Sequence, residues 1–241
     1  MHPPAVHARI VELMAEGSSD AAISAASSVA RTTVRDIRSR STRLRCPRCW
    51  RGARPMSFSA GEYAELLGFY LGDGYIVATG RSYRLRIFLD AAHPGIADEV
   101  CALLCICFGA NRVGRTHLRA RSTVVASVYS VHLPCLFPQH GPGVKHERPI
   151  VLEDWQQASV VAAPWSFIRG LILSDGCAFI NRTGRYRYLS YDFCNRSADI
   201  RRIFMASCDL VGVRYTTNSD RVRIYGRACV RDLAAYVGTK R

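Results

Sequence analysis

The spacing of apolar residues sorts the chain into helices at its start and a helix–strand repeat after it. In "VHARIVELMAEG" the apolar Val6, Ile10, Leu13 and Met14 recur every three or four positions, which predicts an amphipathic helix stopped at Gly17. "SSDAAISAASSVARTTVRDIRSR" follows, with Ser19 or Asp20 as N-cap. Its Ile23, Val29, Val34 and Ile37 are spaced for two short helices meeting at a tight turn, the second over about 30–39. From Tyr63 the pattern changes. After Asp73 come strand-like "SYRLRIFLD", a helical "GIADEVCALLCICFG" and strand-like "NRVGRTHLRA" and "VVASVYSVH". After Asp175 the same order returns in "YRYLSYDF", "SADIRRIFMASCDLVG", "VRYTTN" and "RVRIYG". The landmarks keep step, Asp73 to Gly109 being 36 residues and Asp175 to Gly212 being 37. Each half reads as a helix, two strands, a helix, two strands and a closing helical or irregular piece, an internal repeat that predicts a pseudo-twofold α+β fold.

Two apolar runs end on an aspartate, "LLGFYLGDG" (Leu66–Gly74) and "IRGLILSDG" (Ile168–Gly176). Gly68 and Gly72 lie four apart, hence on one helical face, and Gly170 and Ser174 take the same places in the second run. A glycine inside a helix costs about 1 kcal/mol relative to alanine, so its presence calls for a close backbone approach. Two helices packed through these small residues would end at one level, with Asp73 beside Asp175. Carboxylates converging on the negative ends of two helices repel each other unless a cation intervenes, and oxygen donors suit Mg²⁺ or Mn²⁺. Gly74 and Gly176 are expected to supply a left-handed turn that stops each helix. A single Gly-Asp-Gly is an ordinary helix C-cap. Two copies 102 residues apart in matching contexts point to a site.

With these residues the chain resembles a LAGLIDADG homing endonuclease of the single-chain, two-motif type over roughly 63–241. Leu71 and Leu173 stand at the motif's first, commonly variable acidic position; the second aspartate is present in both copies. The resemblance implies a pair of αββαββα halves forming a DNA-binding saddle, and a monomer that cuts both strands with a divalent metal. Asp73 and Asp175 are then the catalytic metal ligands, and water attacks the phosphodiester in line. It also implies a lysine near the end of each half, close to the attacking water and the scissile phosphate. Of 33 basic residues only Lys145 and Lys240 are lysines, and they close the two halves. A compact ammonium is a role that arginine fills poorly. Asn195 is a further candidate for ordering that water.

The strand segments carry arginine in alternation, which predicts one basic face per strand, as a sheet lying along a groove requires. Arg84, Arg86, Arg115, Arg119, Arg185, Arg187, Arg221 and Arg223 are the expected DNA contacts, the stripe being a stronger signal than any one residue. The N-terminal helices resemble a helix-turn-helix module, with Ser27 and Ser28 where an apolar residue and glycine are usual. Its second helix offers Arg31 and Arg35, with Thr32, Thr33 and Arg38, to phosphates or base edges. The expected organisation is residues 1–42 as this module, 43–60 as linker, and 61–160 and 161–241 as the two halves.

A net charge of +14 favours a polyanionic partner, double-stranded DNA before an acidic membrane surface. Ten basic against four acidic residues in the first 60 put the excess in both parts. No apolar run is long enough to span a membrane, and no signal-peptide pattern opens the chain, so an intracellular, cytoplasmic location is expected. Cys101, Cys105 and Cys107 sit in the apolar helix and read as reduced core residues. Cys46 and Cys49 form one Cys-x-x-Cys; with Cys135 and His140 they would complete a structural Zn²⁺ site, against the alternative of an exposed pair and a buried Cys135. The rival to an endonuclease is a DNA-binding transcriptional regulator on the same fold that does not cut. A protein-splicing element would need a nucleophilic first residue and a terminal His-Asn, and a splicing maturase or RNA-binding protein is also compatible with the fold.

Overall fold

The structure, a computed structural model, describes residues 4–42, 58–109, 111–118, 120 and 122–238. Residues 1–53 and 54–241 form two compact units. In the first, α1 (Pro4–Ala15), α2 (Asp20–Ser27) and α3 (Arg31–Thr42) close on a core of Ile10, Leu13, Ile23, Val29 and Val34. The turn between α2 and α3 is made by Ser28 in the left-handed region, φ 55°. The two neighbouring serines satisfy carbonyls there, Ser27 Oγ donating to Ile23 O (2.6 Å) and Ser24 Oγ to Val29 O (2.7 Å). Arg38 ties α3 back to the start of α2, donating to Asp20 Oδ1 and Ser18 O at 2.6 Å each.

In the second unit, α4 (Ala60–Leu71) leads into β1 (Gly74–Thr79), β2 (Ser82–Asp90), α5 (Pro94–Phe108), β3 (Val113–Leu118), β4 (Thr123–Ser130) and the one-turn α6 (Leu133–Leu136). After α7 (Asp154–Ala162), α8 (Pro164–Asp175) opens the second half with β5 (Gly176–Thr183), β6 (Tyr186–Cys194), α9 (Ala198–Leu210), β7 (Thr216–Asn218), β8 (Arg221–Ile224) and α10 (Arg227–Val237). Two antiparallel four-stranded sheets result, ordered β1-β2-β4-β3 and β5-β6-β8-β7. The registers match, Gly74 facing Ile87 and Gly176 facing Phe193. The pseudo-twofold α+β architecture expected from the repeat is therefore the one observed. Helix α7 is a helical piece at the close of the first half; Glu153 and Gln156 cap its start reciprocally, and it runs across residues 160 and 161, where the two halves were expected to divide. Cys107 is buried, whereas Cys105 is exposed because its position turns away from the core face of α5.

One core serves both halves, and α4 and α8 cross its centre. Their backbones touch: a Cβ on Gly68 would stand 2.6 Å from Phe167 O, and one on Gly170 2.2 Å from Glu65 O. A Cβ on Gly72 would meet Ser174 Oγ at 2.1 Å. Arg169 bridges the same contact from outside, pairing with Glu65 of α4 and Glu99 of α5 and donating to Tyr236 O (3.0 Å). Gly74 and Gly176 correct an expectation. Neither adopts positive φ; instead a Cβ at Gly74 would lie 2.4 Å from Tyr70 Cα and one at Gly176 2.6 Å from Ile172 O. These glycines serve the tight passage from helix into strand, not a left-handed cap. Among the described residues no helix is long and apolar enough to cross a membrane.

Gly170→Ala is expected to lower the unfolding free energy by about 2–3 kcal/mol, because neither backbone can retreat from an added methyl group. Gly95→Ala, at an α5 position with nothing within 4 Å, is the control and should be neutral or slightly stabilising. Urea denaturation of the two variants against wild type checks both.

Candidate functional site

The helix contact brings the ends of α4 and α8 together. Asp175 is the last residue of α8, while Asp73 lies two residues beyond α4, so the two carboxylates leave their helices differently. Phe88 N–H holds the Asp73 carbonyl (3.2 Å), fixing that residue against β2. A Cβ on Gly72 would reach 3.3 Å from Asp175 Oδ2, so glycine there leaves that oxygen uncrowded. A cleft of about 550 Å³ opens beside Asp73, lined also by Asp90, His93, Thr123, Leu173 and Ser174.

Asn195 stands next to Asp175, its Nδ2 donating to Asp175 Oδ2 at 2.5 Å. Its own frame is rigid: Oδ1 accepts from Ser197 N–H (2.8 Å), its N–H donates to Asp220 O (3.1 Å), and Arg201 donates to its carbonyl. Lys145 lies at the other helix. Its ammonium donates to Tyr70 O (2.6 Å), Leu71 O (2.9 Å) and Gly72 O (2.8 Å), the last carbonyls of α4 and its cap. A cation there is favoured by the helix dipole. Burial pushes the Lys145 pKa down to about 8, against the opposing pull of the Asp175 and then the Asp73 carboxylate. Arg148 shapes the loop before it, donating to Gln139 O (3.1 Å) and Gly141 O (2.8 Å). Lys240 lies outside the described residues.

The adjoining helix ends thus carry one carboxylate each, both acting on the Lys145 ammonium and one oriented by an amide, and their oxygens are of the kind that suits Mg²⁺ or Mn²⁺ with further ligands from water and phosphate. Zinc finds less. Among the described residues no group of three or more His, Cys, Asp or Glu could hold a metal, and Cys46 and Cys49 lie outside them. His140 packs edge-on against Tyr83 with Nδ1 3.2 Å from Phe137 O, so Nδ1 carries the proton and only Nε2 remains.

The sheet registers divide the expected arginines between two faces. Leu85, Ile87 and Leu89 turn toward the helices, which puts Arg84 and Arg86 on the open face. Arg84 donates to Ser127 Oγ (3.0 Å) and lies over the Tyr129 ring; Arg86 lies over Tyr75 and Phe88. The Nε of each is buried without a hydrogen-bond partner among the described residues. Arg221 and Arg223 also occupy the open face, but Asp192, buried beneath them, takes Arg223 bidentately at 2.7 and 2.8 Å and Arg221 at 3.6 Å. Arg115 is a correction. It faces Ala126 on the core side of β4 and pairs with Asp98 of α5, so it lies under the sheet. Arg187 shares its face with Leu189, Tyr191 and Phe193 and likewise turns to the helix side. Arg185 is exposed in the β5–β6 turn, where it donates to Tyr186 Oη (3.2 Å). Arg119 lies outside the described residues, and Arg31 and Arg35 are exposed on α3 of the first unit. Asp192 was missed from sequence; an acid alternating among aromatic strand residues carried no separate signal.

No family model matches the chain, and no curated protein does. Among solved structures, I-DmoI in complex with DNA and Mn superposes with a TM-score of 0.51 at 15% identity, over 76% of this chain and 98% of that one. Full-length DUF199/WhiA from Thermatoga maritima gives 0.49 at 15% identity, over 83% and 60%. Mesophilic variants of the homing endonuclease I-DmoI give 0.47 at 16% identity, over 74% and 95%. The first of these superpositions, together with the two matched sheets, gives the two-domain LAGLIDADG fold.

The lowered Lys145 pKa has a definite sign in stability. Below about pH 8 the lysine is charged in folded and unfolded chains alike and its burial cost is fully present. Between about 8 and 10.5 the unfolded chain holds more protons, so stability rises with pH. In chelator-containing buffer, wild type is expected to gain up to about 3 kcal/mol over Lys145→Met across that window. Denaturant titrations at stepped pH measure it; a constant difference between the two proteins would contradict the lowered lysine pKa.

Proposed function

We propose that the chain is a DNA endonuclease that cuts both strands at a specific site, using Asp73 and Asp175 with Mg²⁺ or Mn²⁺. The observation that supports this best is the convergence of the two motif aspartates at the end of one helix pair, with Asn195 on one carboxylate and Lys145 at the adjoining helix end. A divalent cation bound there would supply charge stabilisation to a phosphodiester under attack by water. The chain's own residues do the rest. Asp73 and Asp175 would hold the cation between the strands, and Asn195 keeps Asp175 in one rotamer. Lys145 offsets the negative end of α4 and the two carboxylates, which would otherwise repel the incoming phosphate. Arg84, Arg86, Arg221 and Arg223 lie on the open faces, where a duplex would lie across the two sheets. Arg31 and Arg35 of the first unit would add contacts of a helix-turn-helix kind. The solved complex of I-DmoI with DNA and Mn shares the fold, and the duplex partner is carried to this chain as part of the proposal.

A second reading, a DNA-binding regulator that does not cut, is favoured by one feature. All three protons of the Lys145 ammonium have backbone acceptors, so the lysine is already committed within the protein.

Cleavage of a randomised duplex library with Mg²⁺ or Mn²⁺ separates the two. Wild type is expected to cut a defined site; Asp73→Asn and Asp175→Asn should abolish cutting while retaining binding. Asn195→Ala should slow it about 10- to 100-fold, the usual effect of losing a group that orients a metal ligand. Tight, selective binding by wild type with no cut product would establish the regulator instead.

A further inference from the structure

On the helix side of the second sheet, away from the open face, a cleft of about 290 Å³ lies between the start of β6 and the first turns of α10. Arg187, Arg227 and Arg231 surround it, Tyr225 forms one wall, and Leu189 and Val230 lie in its apolar lining. Among the described residues no acidic one lines it. Arg231 pairs at 3.2 Å with half-buried Asp232, whereas the side chains of Arg187 and Arg227 make no hydrogen bond or ion pair with any described residue. This contrasts with the open face of the same sheet, where Asp192 already neutralises Arg221 and Arg223.

Three guanidinium groups around one concavity, only Arg231 being paired with a carboxylate and that one outside the lining, repel one another and concentrate an anion. Arginine's planar fork suits the paired oxygens of a phosphate, and the half-exposed ring of Tyr225 offers a flat apolar surface beside it. The volume lies at the lower end of the range for small-molecule sites, enough for a phosphate ester and part of its sugar or base. We infer that this cleft is a second phosphate-binding site, separate from the sheet faces, which takes the phosphate ester of a nucleotide. The ester comes either from duplex DNA running past the sheet, in which case the inference rests on the DNA-binding reading above, or from a free nucleotide.

The test compares the full chain with Arg187→Gln/Arg227→Gln in two arms. In the first, affinity for a mixed-sequence duplex is measured by fluorescence anisotropy over a range of salt concentrations. Loss of two phosphate contacts should flatten the plot of log K against log salt by about 2. In the second, deoxyadenosine monophosphate is titrated while the arginine Nε–H resonances are followed. A flattened slope assigns the ester to DNA. An unchanged slope with nucleotide binding lost in the variant assigns it to a free nucleotide. An unchanged slope with nucleotide shifts that are equal or absent in both proteins overturns the site. Arg187→Lys/Arg227→Lys keeps both charges and should restore most of the slope, which a misfolded variant would not do. If wild type binds no duplex, the DNA reading fails by itself and the nucleotide arm alone decides the cleft.

Discussion

The structure of residues 54–241 depends on one close contact, the passage of α4 against α8 at Gly68 and Gly170. No side chain separates the two backbones, so the helices are fixed in relative height as well as direction. That height decides where their ends fall, and so brings Asp73 and Asp175 to one place. The arrangement is electrostatically unfavourable in itself, since two carboxylates meet at the negative ends of two dipoles. Each side answers it differently. At α4 the half-buried Lys145 ammonium caps three carbonyls; at α8 an amide, Asn195, holds the carboxylate. The pseudo-twofold axis relates the backbones, and the polar groups around it are unlike.

The same inequality runs across the sheets. Because Gly74 faces Ile87 as Gly176 faces Phe193, Arg86 and Asp192 occupy corresponding positions one residue earlier on β2 and β6. In the first sheet an arginine lies over two aromatic rings with its Nε unsatisfied. In the second a buried carboxylate anchors arginines that come from the neighbouring strand. A ligand lying across both sheets would meet donors held by rings on one side and donors held by an acid on the other. The arginines of the first sheet are held over aromatic rings with no carboxylate against them, while those of the second give up part of their charge to Asp192.

Much of this was legible in the chain. The two apolar runs with glycine and serine four apart announced a helix pair packed by backbone, and the equal spacing of the repeats announced two like halves. Motif and repeat marked the two aspartates and the scarcity of lysine marked Lys145, whereas Asn195 was named only as a neighbour of a strand end, and its bond to Asp175 came from the structure. What could not be read was the side of a strand on which an arginine emerges. Arg115 and Arg187 alternate with their neighbours as regularly as Arg84 and Arg86 do, yet they turn to the helices. Asp192 has an ordinary strand context and becomes significant only beneath Arg223. The roles of Gly74 and Gly176 were misread in the same way, since a local motif suggested an unusual dihedral where the cause was a neighbouring turn of helix.

By itself, then, the sequence determined the periodicities, and with them the helix and strand content, the twofold repeat and the small residues at which two helices meet. These follow from burial along single elements, which neighbouring residues encode. Only the tertiary structure decided which face of each strand is open, which charges are already paired, and that Lys145 caps a helix. Those depend on strand register and helix contact between segments far apart in the chain, and no local pattern specifies them.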